Sequence, residues 1–247
     1  MLEVQQLAVK YQGSCCLDSV SFQVAPGQFV GIMGPNGAGK STMMKAMLGL
    51  VPTVSGRVSF CTCPLCQQLE RVAYVPQRSQ IDWDFPVTVG SVVMMALTRS
   101  LGWFRGPHRE AKQRVHAALE QVGLWDWRHR RIGALSGGQQ QRVFLARALA
   151  QNADIFLFDE PFTGVDQPTE EILLEVFRSL KQQGKILMVS SHDWGKSMSQ
   201  LDRLMLLNQR LIADGYPDQV MTPENLQKTF VTARGAGSGV PRSAFFC

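Results

Sequence analysis

The sequence has no run approaching the ~20 uninterrupted apolar residues that a membrane-spanning helix needs. Its first residues, Met1-Leu2-Glu3-Val4-Gln5, lack both the basic segment and the apolar stretch of a secretory signal. These two absences predict a cytoplasmic chain that reaches a membrane only through protein partners. Blocks of like charge are missing too. The 25 Lys and Arg exceed the 20 Asp and Glu, yet they are dispersed, the densest group being Arg128, Arg130 and Arg131 beside His129. Dispersed basic residues suit a solvated surface that tolerates nucleotide or headgroup anions, and they argue against nucleic acid as a partner. No period of about 20 to 50 residues recurs, which excludes solenoids and propellers. Six cysteines stand at positions 15, 16, 61, 63, 66 and 247, in a chain whose expected compartment keeps thiols reduced. Cys61, Cys63 and Cys66 are close enough in sequence to bind Zn²⁺ or sense redox state. No fourth ligand is evident beside them, so a plain loop is the expected reading.

What is present suffices for a sizeable core. At 247 residues and 45% hydrophobic content, the chain fits one domain, or a domain carrying an inserted lobe. Leu2, Val4, Leu7 and Val9, then Val20, Phe22 and Val24, alternate as half-buried antiparallel strands do. Pro26-Gly27 turns the chain into the apolar run Phe29 to Met33, and a helical segment from Ser41 stops at Gly49. Val72 to Val75, Ile155 to Phe158 and Ile186 to Val189 are short apolar runs of the kind buried on both faces of a parallel sheet. Each is followed by polar residues: Gln77, then Asp159 and Glu160, then His192. Ligands of open α/β sheets bind beyond the carboxyl ends of the strands, so one edge should collect the chemistry. Leu204 to Leu207 and Leu211 to Ile212 suggest a closing hairpin, and the pattern from about 87 to 151 is helical, as an inserted lobe. A glycine-rich tail, 235–247, reads as a flexible extension of a domain spanning 1–234.

Between the strand at Phe29 and the helix at Ser41 lies Gly34-Pro35-Asn36-Gly37-Ala38-Gly39-Lys40-Ser41-Thr42, which fits the phosphate-cradling pattern G-x-x-x-x-G-K-[ST]. Its glycines let backbone N–H groups face phosphates at the positive end of the following helix. Lys40 sets a cation against the β and γ phosphates, Ser41 offers a hydroxyl to Mg²⁺, and Thr42 supports the α phosphate. Asp159 closes a buried strand, where a carboxylate suits the Mg²⁺ shell. Further along comes Leu135-Ser136-Gly137-Gly138-Gln139, at the start of a helix, where small residues make a second anion site.

Together these two stretches resemble the nucleotide-binding subunits of ATP-binding-cassette transporters. The resemblance covers about residues 1 to 215 with the motifs in the family's order. It implies an α/β fold: a RecA-like P-loop NTPase core with an antiparallel β subdomain and an inserted helical subdomain. It implies ATP and Mg²⁺ as cofactors, Glu160 as the carboxylate that polarises the attacking water, Gln77 as the glutamine touching Mg²⁺ and water, and His192, beside Asp193, as the switch histidine at the γ phosphate. It also implies that Tyr11 stacks on adenine, an ordinary strand tyrosine being the competing reading. Ser136, Gly137, Gly138 and Gln139 would complete the ATP pocket of a second subunit, with Asp166 in the loop linking the two sites; a homodimer is expected. The stretch Gln80 to Val89, with Gly102 to Arg105 and Trp125 to Arg130, resembles the importers of manganese, zinc and chelated iron, manganese importers most closely. A permease, an extracytoplasmic metal-binding protein and the cytoplasmic face of the membrane follow as expected partners and place. A non-transport cassette ATPase would usually bring long coiled coils or tandem cassettes, an exporter often fused membrane helices, and a non-hydrolysing scaffold the loss of Glu160 or His192. None of these features is visible in the sequence.

Overall fold

Alternation and its interruptions build the first sheet. In the computed structural model, which describes residues 1–11, 13–81, 83, 85–98, 107–192 and 194–230, β1 (Leu2–Tyr11) pairs antiparallel with β2 (Ser14–Val24). Leu2 and Val4 point inward, then the count slips by one, and Leu7 and Val9 take over. Gln6 stands at φ 47° where the register shifts, and Ser19 at φ 52° between Leu17 and Val20. These bulges put two apolar sets on one face although their spacing is three rather than two.

The first large-sheet strand is β3 (Phe29–Met33), followed by helix α1 (Lys40–Met47). Strands β4 (Ser55–Phe60) and β5 (Cys63–Pro64) then complete a small sheet of order β2-β1-β4-β5. Between them Cys61 and Thr62 both have positive φ, 49° and 71°, a two-residue turn made without glycine. Cys61, Cys63 and Cys66 are free and exposed. Among the described residues no three His, Cys, Asp or Glu side chains sit where they could share a metal ion.

The large sheet has the order β10-β9-β3-β8-β7-β6, from β6 (Val72–Val75), β7 (Ile155–Asp159), β8 (Ile186–Ser191), β9 (Arg203–Asn208) and β10 (Arg210–Gly215). Its strands are parallel except the final hairpin, β9 against β10. Alternate residues feed two cores. Val30, Ile32, Ile155 and Leu157 pack with α1 and the small sheet, whereas Phe29, Phe156, Phe158 and Leu187 pack on the opposite face. That second core holds α2 (Val89–Met94), α3 (Arg109–Gln121), α4 (Gly137–Gln151) and α5 (Gln167–Gln182). Helix α4 touches α2 and α3 on one side and β6 and α5 on the other, so it joins the helical region to the sheet. Two short helices, α6 (Pro217–Val220) and α7 (Pro223–Phe230), follow β10. Among the described residues no helix is long and apolar enough to cross a membrane.

The parallel strands β3, β6, β7 and β8 end at one edge, just before the glycine loop, Gln77, Glu160 and His192 respectively. Several residues named from the sequence lie outside the described ones: Asp82, Asp84, Gly102 to Arg105, Asp193 and the tail from Gly235.

Candidate nucleotide site

Two glycines of the loop are required by close contact. A side chain on Gly34 would start 2.1 Å from the carbonyl of Leu207 in β9. Gly39, at φ 98°, caps α1, and a Cβ there would lie 2.7 Å from both the carbonyl of Cys16 and the side chain of Leu17. Only glycine takes that backbone and that proximity together. The loop is thereby pressed onto the sheet, leaving Asn36 and Gly37 exposed and Ser41 and Thr42 half-buried at the start of α1.

Lys40 opens α1 and is only 5% exposed. Its Nζ donates to the carbonyls of Gly34 (2.7 Å) and Pro35 (3.2 Å) and lies 3.6 Å from Glu160 Oε1. Burial pulls its pKa below the usual lysine value, against the opposing pull of Glu160 and Asp159.

Glu160 is where the side chains converge. Its Oε2 accepts from the Gln77 amide at 2.9 Å and from the Thr163 hydroxyl at 3.3 Å, and lies 3.9 Å from His192 Nδ1. The Glu160 side chain is 10% exposed, that of His192 53%. The backbone of Glu160 is left-handed, φ 51°, and its N–H is shared between the hydroxyl (3.0 Å) and carbonyl (3.2 Å) of Ser190. The same Ser190 hydroxyl donates to Asp159 Oδ1 at 2.7 Å. One serine on β8 therefore holds the Asp159 carboxylate and the Glu160 backbone at the end of β7.

Asp159 is fully buried, and its Oδ2 has no hydrogen-bond partner. An orphaned carboxylate oxygen of this kind is what a hard divalent cation coordinates, so the site fits Mg²⁺. The Tyr74 hydroxyl is likewise buried and faces Asp159; burial first, then the Asp159 charge and side-chain hydrogen bonding to that carboxylate, push its pKa up.

The second glycine-bearing stretch, Leu135 to Gln139, hereafter the signature, is prepared differently. Ser136 caps α4: its hydroxyl accepts from Gln139 N–H (3.3 Å) while its own N–H donates to Gln139 Oε1 (2.9 Å). This reciprocal pair leaves the remaining N–H groups of the first turn available. A Cβ on Gly138 would lie 2.6 Å from Thr169 Oγ1 and 3.0 Å from Asp166 Oδ1. Asp166 in turn caps α5 through Thr169 N–H (3.3 Å), and bonding to Thr169 holds its carboxyl below the usual range. Among the described residues no hydrogen bond or ion pair joins Ser136 to Gln139 with Lys40, Glu160 or His192. Tyr11 ends β1 with its ring 41% exposed.

The structure thus gathers Lys40, Gln77, Asp159, Glu160 and His192 at one edge and sets Ser136, Gly137, Gly138 and Asp166 together elsewhere. Sequence reasoning missed Ser190 and Thr163. The one hint was the pair of hydroxyls, Ser190 and Ser191, ahead of His192.

Residues 17–163 match the family described as ABC transporter. The chain is 45% identical over 229 residues to the manganese transport system ATP-binding protein MntB of Bacillus subtilis, covering 93% of this chain and 92% of that one. It is also 45% identical over 229 residues to the zinc transport system ATP-binding protein TroB of Treponema pallidum, covering 93% and 86%. Among solved structures, an ATP-binding subunit of an ABC transporter superposes with a TM-score of 0.77 at 26% identity, over 96% of this chain and 95% of that one.

Proposed function

The chain belongs to the ABC transporter family, and from that premise we propose that it is the ATP-hydrolysing subunit of an importer that energises uptake of a transition-metal ion, manganese before zinc. The convergence of Lys40, Gln77 and His192 on Glu160, beside the orphaned oxygen of Asp159, carries the hydrolytic part. The similarity to manganese and zinc transport subunits carries the cargo, and the equal identity to the zinc protein keeps zinc as the second reading.

Phosphoryl transfer needs positioning and charge stabilisation. Incoming phosphates replace the Gly34 and Pro35 carbonyls and the Glu160 carboxylate as partners of Lys40. Backbone N–H groups from Gly34 to Thr42 cradle the same oxygens, and Tyr11 stacks on the base. Released from Lys40, Glu160 orients the attacking water, with Gln77 and His192 bonding the water and the γ phosphate. Ser41, Asp159 and Gln77 would hold Mg²⁺, which neutralises phosphate charge when bound. Ser136, Gly137, Gly138 and Gln139 of a second copy then close over the γ phosphate, Asp166 linking the halves in a symmetric pair.

A groove of about 580 Å³ on the helical region, lined by Met94, Met95, Trp125, Arg128 and His129, is the surface we infer for the permease at the cytoplasmic face of the membrane. Its guanidinium–indole stacking, Arg128 4.3 Å above Trp125, keeps a cation beside the groove's methionines. A binding protein outside the membrane would select the ion.

Uptake of labelled manganese, zinc and iron in cells lacking this chain tests the reading. Loss of manganese uptake, restored by the wild-type chain and not by Glu160→Gln, is the expected result. Unchanged uptake of all three metals would overturn the cargo while leaving the ATPase.

A further inference from the structure

The glutamine that touches the catalytic carboxylate is followed by an arginine that turns the other way. Gln77 sends its amide to Glu160, whereas the guanidinium of Arg78 reaches the first turn of α4. There Nη2 and Nε donate to Gln140 Oε1 at 2.8 and 3.3 Å. Gln140 is 4% exposed, and its amide nitrogen donates to the carbonyl of Ile132 at 3.2 Å, so its acceptor oxygen is aimed. Gly137 leaves the room: a Cβ there would stand 2.9 Å from Arg78 Nη1. A third element steadies the fork. Trp83 donates its indole N–H to the Arg78 carbonyl at 3.2 Å, lies under the guanidinium at 5.6 Å, and packs edge-on against Phe144 of α4 at 5.3 Å.

We propose that Arg78 is a positioning residue that couples the two ATP sites of the dimer: through Gln77 it is tied to the hydrolytic end of its own site, and through Gln140 and Gly137 to the signature that closes the other. The proposal rests on the reading that two copies share their nucleotides. Adjacent Cα atoms lie ~3.8 Å apart across a trans peptide, so a displacement of this backbone when the partners of Glu160 change would be felt at both Gln77 and Arg78. Any such shift moves the Gln140 fork and with it the N-terminal turn of α4. The guanidinium also sets a positive charge beside a helix start whose free N–H groups already favour anions. A lysine keeps that charge but cannot form the planar fork.

ATP-driven association of the Glu160→Gln chain, measured by sedimentation with ATP and Mg²⁺, provides the test. Arg78→Ala and Gln140→Met, which keeps the buried volume, are each expected to weaken association at least about tenfold, a change of ~1.4 kcal/mol. ATP affinity, measured at protein concentrations too low for pairing, should stay within about twofold. The double variant should associate no more weakly than either single one, and Arg78→Lys, which keeps the charge without the fork, should fall between Arg78→Ala and the parent. Association unchanged in Arg78→Ala, additive losses in the double variant, or ATP affinity falling in parallel would each overturn the proposal. A Glu160→Gln parent that stays monomeric would instead remove the two-copy reading, and the proposal with it.

Discussion

The glycine-loop end of the site is closed by its own charges, while the signature end is capped and left open. Lys40 is buried and bound to two carbonyls and a carboxylate. Ser136 is exposed, and Gly137 to Gln139 are half-buried, with only one capping bond in each direction. The first end is satisfied by its own side chains, which turn on one another. The second has only fixed its backbone. On the proposed reading, ATP displaces existing partners at one end and arrives at the other, which would make the loop end a switch and the signature end a template.

Breaking the closed end at its centre should have the largest effect. Glu160→Gln keeps the shape and the hydrogen bond acceptor but loses the base, so hydrolysis should fall by about 10² to 10⁴-fold while ATP still binds. Single-turnover phosphate release alongside equilibrium binding separates the two. A drop in both together would mean that Glu160 holds the loop rather than the water.

The next effect is a pH dependence with a defined sign. Burial lowers the Lys40 pKa, and phosphate oxygens against Nζ should raise it again. Binding then takes up a proton in the window above the lowered value, and ATP affinity falls as pH rises through it, by at most about tenfold per unit. Stability of the free chain changes in the opposite sense, because the unfolded lysine binds the proton more tightly. Calorimetric titration in two buffers of different ionisation heat reads the uptake directly. Heats independent of the buffer throughout the alkaline range would show that Lys40 is charged in both states.

The smallest effect belongs to the open end. Ser136→Ala removes one cap and should cost about 0.5–2 kcal/mol in urea unfolding, with hydrolysis lowered and ATP binding by the monomer retained. Equal loss of binding and hydrolysis would erase the contrast between the two ends.

Much of this was legible in the sequence. The glycine pattern, the three apolar runs and the polar residue after each gave the parallel core and the edge where chemistry gathers. Contacts that depend on strand register were not legible. Ser190 stands opposite Asp159 in the pairing of β7 with β8, and no local spacing announces that alignment. Arg78 and Gln140 read as ordinary polar residues, because their contact spans 62 positions. The helical stretch to Gln151 reads as one lobe, yet α4 also packs on the sheet through residues whose apolar period serves both neighbours. The Cys61-Thr62 turn adopts positive φ without glycine or asparagine to signal it.

The left-handed backbone of Glu160 sets two kinds of selection against each other. Holding a non-glycine residue in that conformation strains the chain by about 1–3 kcal/mol. Glycine or asparagine at position 160 would relax the strain and remove the carboxylate in one step, leaving the buried Lys40 without its ion-pair partner. A screen for heat resistance alone would therefore weigh the relief of the backbone against the loss of the buried ion pair at this codon.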